Sequence, residues 1–202
     1  MPFKFCTSVA LLLLLVQSSI AQFPIRLGSA GQEYGKCAAT DRDGNILVGM
    51  LFQNTIDFDP GAGSAIIGTP PGIDCAVAKY TTAGALVWAR NWSGTTGASA
   101  NTVVTPHGLT VDASNNVITV GYFGLSGNTN RAAVDFDPGA GALLLTNTGG
   151  WDAFIGKLDA AGNILWARTF GCITNSATDE RAWDVAANAA GEIGRASCRE
   201  RV

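Results

Sequence analysis

The stretch "DCAVAKYTTAGALVWAR", Asp74–Arg90, returns later in the chain as "DAFIGKLDAAGNILWAR", Asp152–Arg168. When the comparison is extended back to Asp57 and Asp135, 15 of 34 positions are identical without a gap, at a constant offset of 78 residues. This agreement is far beyond chance, so the chain contains an internal repeat. A repeat decides the fold, because each copy has to form the same structural unit.

The repeat extends upstream with weaker identity. "AATDRDGNILVGMLF", Ala38–Phe52, corresponds to "LTVDASNNVITVGYF", Leu109–Phe123, and a third copy begins with "AWDVAANAAGEI", Ala182–Ile193. In each copy, short runs of β-branched and aromatic residues alternate with Gly and Asn, which supply the positive φ of tight hairpin turns. We therefore predict a β-hairpin over Ala38–Phe52 and Leu109–Phe123, and a second hairpin in each copy over Ala76–Trp92 and Ala153–Phe170.

The composition agrees with an all-β chain. Gly accounts for 25 of 202 residues, and only the stretch Arg181–Ala190 suggests a helix, against which the repeat argues. Four strands per copy predict a β-propeller repeat fragment, with two four-stranded blades and the start of a third. The formal net charge of −3, without a basic patch, argues against nucleic acid as a partner.

These motifs support a resemblance to a known family. The succession of "DAFIGKLDAAGNILWAR", a spacer and "GLTVDASNNVITVGYF" resembles the SBBP-type bacterial β-propeller repeat, and the inserted "DFDPGAG" resembles a version found in secreted multi-repeat proteins. The resemblance covers Gly35 to Ile193 and implies an extracellular propeller, often at the front of a longer chain. It says almost nothing about function.

The ends of the chain predict its processing and its boundaries. Lys4, the apolar run Val9–Val16 and the small residues before position 22 are typical of a cleaved signal peptide, which predicts a secreted or cell-surface protein without stable membrane insertion. Three Arg within the last nine residues depart from the repeat, and we expect this tail to be non-native or, alternatively, a natural basic tail. The expected division is signal peptide 1–21, lead-in 22–34, blade 1 at 35–93, blade 2 with its spacer at 94–171, the start of blade 3 at 172–193 and the tail 194–202.

Two acidic motifs suggest either turns or calcium: the heptad "DFDPGAG", at Asp57–Gly63 and Asp135–Gly141, and "DRDGN", Asp41–Asn45. Asp-Pro-Gly in the heptads is typical of a turn in which Pro fixes φ, Gly takes a positive φ and Asp caps the backbone. Closely spaced carboxylates could also bind Ca²⁺, but six to eight oxygen ligands are needed, so the turn is the favoured interpretation and no cofactor is predicted. The residues that remain weak calcium candidates are Asp41, Asp43, Asp57, Asp59, Asp135 and Asp137.

Other recurring residues favour structural roles. Trp88 and Trp166 are expected in the core between blades, although exposed tryptophans can also stack on sugars. The basic residues that recur beside them are expected as polar partners at blade edges or between blades: Lys79, Lys157, Arg90 and Arg168. After processing, Cys37, Cys75 and Cys172 fit no zinc site and are expected as small, buried apolar residues within strands.

No catalytic residues are predicted. His107 is the only histidine, no Gly-x-Ser-x-Gly elbow is present, and His107 is expected to begin a strand after Pro106. The sequence favours a non-enzymatic extracellular scaffold or adhesion module that binds an unknown protein or carbohydrate. The alternative is the propeller part of a larger extracellular enzyme, for example one acting on polysaccharide, whose active site lies in other blades or domains.

Overall fold

The computed structural model describes residues 26–29, 31–68, 73–92, 102–125, 131–172, 179–188, 190–194 and 198–200, and the predicted signal peptide lies outside them. All regular elements in these ranges are β-strands, which confirms the all-β prediction. The stretch Arg181–Ala190 contains short strands where it is described, and no helix. No described helix is long and apolar enough to cross a membrane.

The first copy of the repeat forms one antiparallel four-stranded sheet with a small hairpin inserted in its middle connection. The order in the sheet is β1-β2-β5-β6, and β3 pairs with β4 in the insertion. The strand bounds are β1 Glu33–Thr40, β2 Ile46–Gln53, β3 Ile56–Asp57, β4 Ile66–Ile67, β5 Ile73–Tyr80 and β6 Leu86–Trp92.

The second copy forms an equivalent sheet, β7-β8-β11-β12, with β9 and β10 as its inserted hairpin. Its strands are β7 Val103–Val111, β8 Val117–Gly124, β9 Ala133–Asp135, β10 Leu144–Thr146, β11 Trp151–Leu158 and β12 Ile164–Phe170. The registers also match, since Ile46 pairs with Tyr80 and, at the same place in the second sheet, Val117 pairs with Leu158. All four predicted hairpins are confirmed.

One type of turn closes the hairpins of both sheets. In each loop the amide of the first residue donates to the carbonyl of the fifth, and the fourth residue has a positive φ. That fourth residue is Gly44 or Asn115 in the first hairpin of each sheet and Gly84 or Gly162 in the second. Positive φ is costly for most side chains, so Gly and Asn at these positions specify where each hairpin turns.

The third copy begins with short strands that follow the same plan. They are β13 Glu180–Ala182, β14 Ala186–Ala187, β15 Ile193–Gly194 and β16 Cys198–Glu200. β14 pairs with β15 across a turn in which Gly191 takes the positive φ, and β13 pairs with β16. β13 lies against β8 and β11, and β14 lies against β7, much as β7 lies against the first sheet.

The two sheets share one hydrophobic core. β7 lies against β1, β2 and β5, and a single buried cluster combines side chains of the first sheet, such as Leu47 and Val77, with those of the second. Trp92, at the end of β6, donates its indole N–H at 2.9 Å to the carbonyl of Phe136, which follows β9 in the inserted hairpin of the second copy, and Trp92 is 1% exposed. Burial of these aromatic surfaces stabilises the packing of one sheet on the other.

Trp88 and Arg90 on β6 contact the second sheet at its last turn. The Trp88 indole donates to the carbonyl of Ala160 at 3.1 Å, and the Arg90 guanidinium donates to the carbonyls of Gly162 at 3.0 Å and Ala161 at 3.2 Å. Trp88 is 6% exposed. The prediction that Trp88 and Arg90 lie between successive copies is therefore confirmed.

The prediction for the two lysines is wrong. Lys79 forms an ion pair with Asp41 at 2.7 Å, and Lys157 forms the equivalent pair with Asp112 at 2.8 Å. Each pair joins the third strand of a sheet to the first turn of the same sheet, so the lysines are not partners between sheets. Because the four side chains are largely shielded from solvent, each charge needs its partner to offset the cost of desolvation.

Candidate functional site

The candidate site lies where the first strand of each copy is interrupted at an equivalent position. The register of β1 shifts around Lys36, and the register of β7 shifts around His107. In the third copy the corresponding residue is Trp183, which lies in the interruption between β13 and β14. A β-bulge changes the direction of its side chain, so three different residue types are presented at one structural position.

An aromatic cluster surrounds the bulge of β7. His107 stacks on Tyr122 with ring centroids 5.3 Å apart, and Trp183 meets the His107 ring edge-on at 4.5 Å. Tyr122 in turn stacks on Trp151 at 4.6 Å. The Arg181 guanidinium lies 4.2 Å from the Trp151 ring centroid and 5.0 Å from that of Tyr122, within the range of cation–π attraction. We call these five residues the aromatic cluster.

The aromatic cluster contains one charged side chain, Arg181, and a neutral histidine. Burial lowers the pKa of His107 to about 4, with smaller contributions from the positive charges of Lys36 and Arg181. The imidazole is therefore neutral at pH 7. Arg181 is paired with Asp179 at 3.2 Å, and Asp179 also accepts the backbone N–H of Trp151 at 3.2 Å, which fixes the position of the guanidinium.

Several polar atoms around the aromatic cluster are shielded from solvent and have no hydrogen-bond partner among the described residues. They are His107 Nε2, Trp151 Nε1, Arg181 Nε and Glu180 Oε2. An unpaired buried polar group costs about 1–3 kcal/mol, so such a concentration needs an explanation. Trp183 is 40% exposed and offers an aromatic surface at the edge of the cluster. This combination suits the binding of a polar ligand with an apolar face.

Asp41 and Asp43, two of the calcium candidates, accept hydrogen bonds from protein groups at the first turns of the two sheets. Asp41 Oδ1 accepts the N–H groups of Asp43 and Asn45, at 2.9 and 2.8 Å, while Oδ2 accepts the Lys79 ammonium. Burial opposes ionisation of Asp41, yet the hydrogen bonds from Lys79 and Asn45 lower its pKa overall. Asp43 accepts the side-chain amide of Asn115 at 2.8 Å, which joins the first turns of the two sheets.

The other four candidates form the two heptad turns. In the first heptad, Asp57 Oδ1 accepts the N–H groups of Asp59 and Ala65 at 3.0 and 2.8 Å, and Asp59 Oδ1 accepts that of Gly61 at 2.8 Å. The equivalent bonds of Asp135 and Asp137 agree within 0.1 Å. The predicted turns are therefore confirmed, and no group of three or more His, Cys, Asp or Glu side chains gathers around a metal position in the described ranges.

The predicted reason for glycine in the heptad is wrong. Neither Gly61 nor Gly139 has a positive φ. The constraint lies two residues later, where a Cβ on Gly63 would stand 2.1 Å from Asp59 Oδ2 and a Cβ on Gly141 would stand 2.1 Å from Asp137 Oδ2. Glycine is needed there because the carboxylate lies against the backbone.

The comparisons with known proteins add no family. No family model matches the chain, and no curated protein is significantly similar to it. The internal repeat and the geometry of the two sheets are therefore the basis for interpreting the protein.

The remaining residues singled out in the sequence are not members of the aromatic cluster. Trp166 and Arg168 are on β12, where Trp166 is half-buried and Arg168 is exposed. Among the described residues, Cys37, Cys75 and Cys172 form no disulfide. Cys75 is fully buried in β5, as predicted, whereas Cys37 in β1 is only half-buried. The prediction is wrong for Cys172, which is half-buried and follows the end of β12. Burial raises the pKa of Cys37 to about 11.

The aromatic cluster itself was missed in the sequence. Its residues come from β7, β8, β11 and the third copy, and no motif connects them. The alignment of the copies held one usable indication. Five residues before the first turn residue, which is Asp41, Asp112 or Asn188, the copies carry Lys36, His107 and Trp183. The first turn residue is Asp or Asn in every copy, whereas these three residues differ.

Proposed function

We propose that the chain forms neighbouring blades of an SBBP-type β-propeller and acts outside the cell, or on its surface, as a non-catalytic binding scaffold. The observation that carries this proposal is the contrast between recurring and differing positions. Turns, registers and ion pairs recur between the sheets, whereas Lys36, His107 and Trp183 differ at one equivalent position. Recurring residues maintain the fold, and a single ligand site belongs where the copies differ.

Propeller geometry is supported by the way successive sheets follow each other. β1 and β7, the first strands of the two sheets, lie against each other, and β14 lies against β7. When blades are arranged around a central axis, the first strand of each blade lies beside the first strand of the next. The aromatic cluster, built on these first strands, would then lie near that axis, where propellers commonly bind ligands.

The chemistry of the aromatic cluster favours a saccharide, in particular one with a carboxylate. An exposed indole stacks on the apolar face of a sugar ring, and buried donors such as Trp151 Nε1 can bind its hydroxyl groups. Lys36, and Arg181 with its partner Asp179, place charged groups beside His107. Catalysis is not proposed, because the cluster combines no nucleophile with a base to activate it.

Fluorescence and calorimetric titration of the protein with oligogalacturonate, an acidic saccharide, and with cellohexaose, a neutral one, tests the proposal. We expect saturable binding, tighter for oligogalacturonate and weakened by salt, because screening reduces the charge attraction. Trp183→Ala should abolish it, while Leu144→Ala, which removes an exposed apolar side chain of β10, should not. Absence of binding to both saccharides, or full binding by Trp183→Ala, would contradict the proposal.

A further inference from the structure

The charged side chains beside the aromatic cluster already have contacts within the chain. The Arg181 guanidinium is paired with Asp179 at 3.2 Å. The Lys36 ammonium lies over the Tyr34 ring, 5.3 Å from its centroid. An acidic ligand would therefore compete with Asp179 for Arg181, and the binding of its carboxylate needs a further group.

The imidazole of His107 can supply that group. Its Nε2 makes no hydrogen bond to any described residue, although it is shielded from solvent. The ring stacks on Tyr122 and meets Trp183 edge-on, with the two ring centroids of the latter pair 4.5 Å apart. Trp183 is 40% exposed and His107 is half-buried, so a sugar ring stacked on the indole would lie next to the imidazole.

The surroundings of His107 oppose its protonation in the free protein. Burial, and to a smaller extent the positive charges of Lys36 and Arg181, lower its pKa from 6.5 to about 4. A bound carboxylate would reverse this effect, because an adjacent negative charge raises the pKa of a histidine. The titratable and charged groups on the segments around the ring are Lys36, Tyr122, Asp179, Glu180, Arg181 and Asp184.

We propose that His107 distinguishes acidic from neutral saccharides, by taking up a proton from the solvent when the carboxylate of a bound saccharide lies beside its ring. This inference rests on the proposed function, because it concerns a ligand of the aromatic cluster. The imidazolium offsets the negative charge of the ligand, which a neutral saccharide does not carry. The preference for acidic saccharides should therefore increase as the pH falls from 7 to 5, where carboxylates with a pKa of about 3.5 are still ionised.

NMR titration of the untagged chain tests the proton uptake directly, because His107 is the only histidine and its imidazole signals need no further assignment. We expect its pKa to be about 4 in the free protein and to rise towards 6.5 with saturating oligogalacturonate, but not with cellohexaose. If the value of 6.5 is fully restored, linkage requires the affinity for oligogalacturonate to rise about twentyfold between pH 7 and pH 5. Calorimetric titration at the two pH values measures this rise.

Two variants separate the titration of His107 from its packing. His107→Phe keeps an aromatic ring between Tyr122 and Trp183, and His107→Gln keeps a polar side chain, but neither can take up the proton. Both should lose the rise in affinity for oligogalacturonate between pH 7 and pH 5. The control Leu144→Ala, on β10, should retain it.

The outcomes distinguish this inference from the proposed function. A rise in affinity that persists in both His107 variants would overturn the inference, because another group such as Asp179 would then take up the proton. Binding of oligogalacturonate with no change in the pKa of His107 would overturn it as well, while the proposed function would stand. Absence of binding to both saccharides would contradict the proposed function and this inference together.

Discussion

Replacing Gly162 with Ala tests how the two sheets pack on each other. Gly162 has a φ of 84°, and an added Cβ would stand 2.9 Å from Trp88 Cδ2 and 3.1 Å from Arg90 Nε. The positive φ costs roughly 1–2 kcal/mol for an L-residue. Displacement of two side chains held between the sheets adds about 1–3 kcal/mol, as overpacking in a core does. We therefore expect the free energy of unfolding to fall by about 2–5 kcal/mol.

The matched control is Gly44→Ala in the first sheet. Gly44 has nearly the same φ, 81°, but its Cβ would meet only the end of the Thr82 side chain, at 3.3 Å. This variant should show the backbone cost alone, about 1–2 kcal/mol. Urea unfolding followed by tryptophan fluorescence measures both, and with a slope of about 2 kcal/mol per molar a 2 kcal/mol difference separates the two midpoints by about 1 M. Equal midpoints would refute the packing of Trp88 on the turn of the second sheet.

Three further outcomes follow from the geometry. Gly141→Ala should lower the free energy of unfolding in urea by on the order of 1–2 kcal/mol, because its Cβ collides with the Asp137 carboxylate. Gly139→Ala should cost less, because its Cβ would lie 3.0 Å from Asp137 Oδ1 and its φ is not positive. The reverse order would contradict the heptad geometry. Because folding lowers the pKa of His107 from 6.5 to about 4, the folded protein should lose stability as the pH falls from 6.5 towards 4. The loss should be on the order of 2 kcal/mol for a half-buried ring. In thermal unfolding, His107→Phe should remove that part of the pH dependence. Lys79→Met should lower the free energy of unfolding in urea by about 3 kcal/mol, because it leaves the buried Asp41 carboxylate without its ion-pair partner. Adding Asp41→Asn should recover part of this loss. If the effects of the two substitutions simply added in the double variant, the pair would not interact.

The hairpins could be predicted because local chemistry specifies them. Gly44, Gly84, Asn115 and Gly162 take the positive φ of their turns, and the alternating apolar residues between them give each strand a buried side. A repeat then required the second copy to adopt the structure of the first. In the third copy, Asn188 occupies the position that Asp41 and Asp112 hold in the first two copies. This alignment also predicts the short strands β14 and β15 on either side of the third turn.

The residues of the ion pairs recur in the sequence, but the lysines were predicted to have partners at blade edges or between blades. Asp41 recurs as Asp112 and Lys79 recurs as Lys157, and a pair of opposite charges that recurs together indicates a contact inside each unit. Spacing along the chain did not show this, because the lysine is on the third strand and the carboxylate follows the first. Only the sheet order brings them within 3 Å.

The aromatic cluster could not be predicted because it depends on the bulge of β7 and on two copies at once. His107 leaves the alternation of β7 through a register shift, and no residue type at that position requires one. Its neighbours Tyr122, Trp151 and Trp183 come from separate strands and from the next copy. The glycine at position 63 was likewise missed, because its constraint is a side chain four residues earlier rather than its own φ.

Hydrogen exchange of the tryptophan indole N–H groups, resolved by NMR and assigned by single Trp→Phe variants, tests the central claim that successive copies pack as equivalent sheets. The indoles of Trp88 and Trp92 donate to carbonyls of the second copy, at 3.1 and 2.9 Å, and both rings are buried. Their N–H groups should therefore exchange orders of magnitude more slowly than that of Trp183, whose side chain is 40% exposed. Exchange of Trp88 and Trp92 as fast as that of Trp183 would contradict the account, because it would show that the two sheets do not pack on each other.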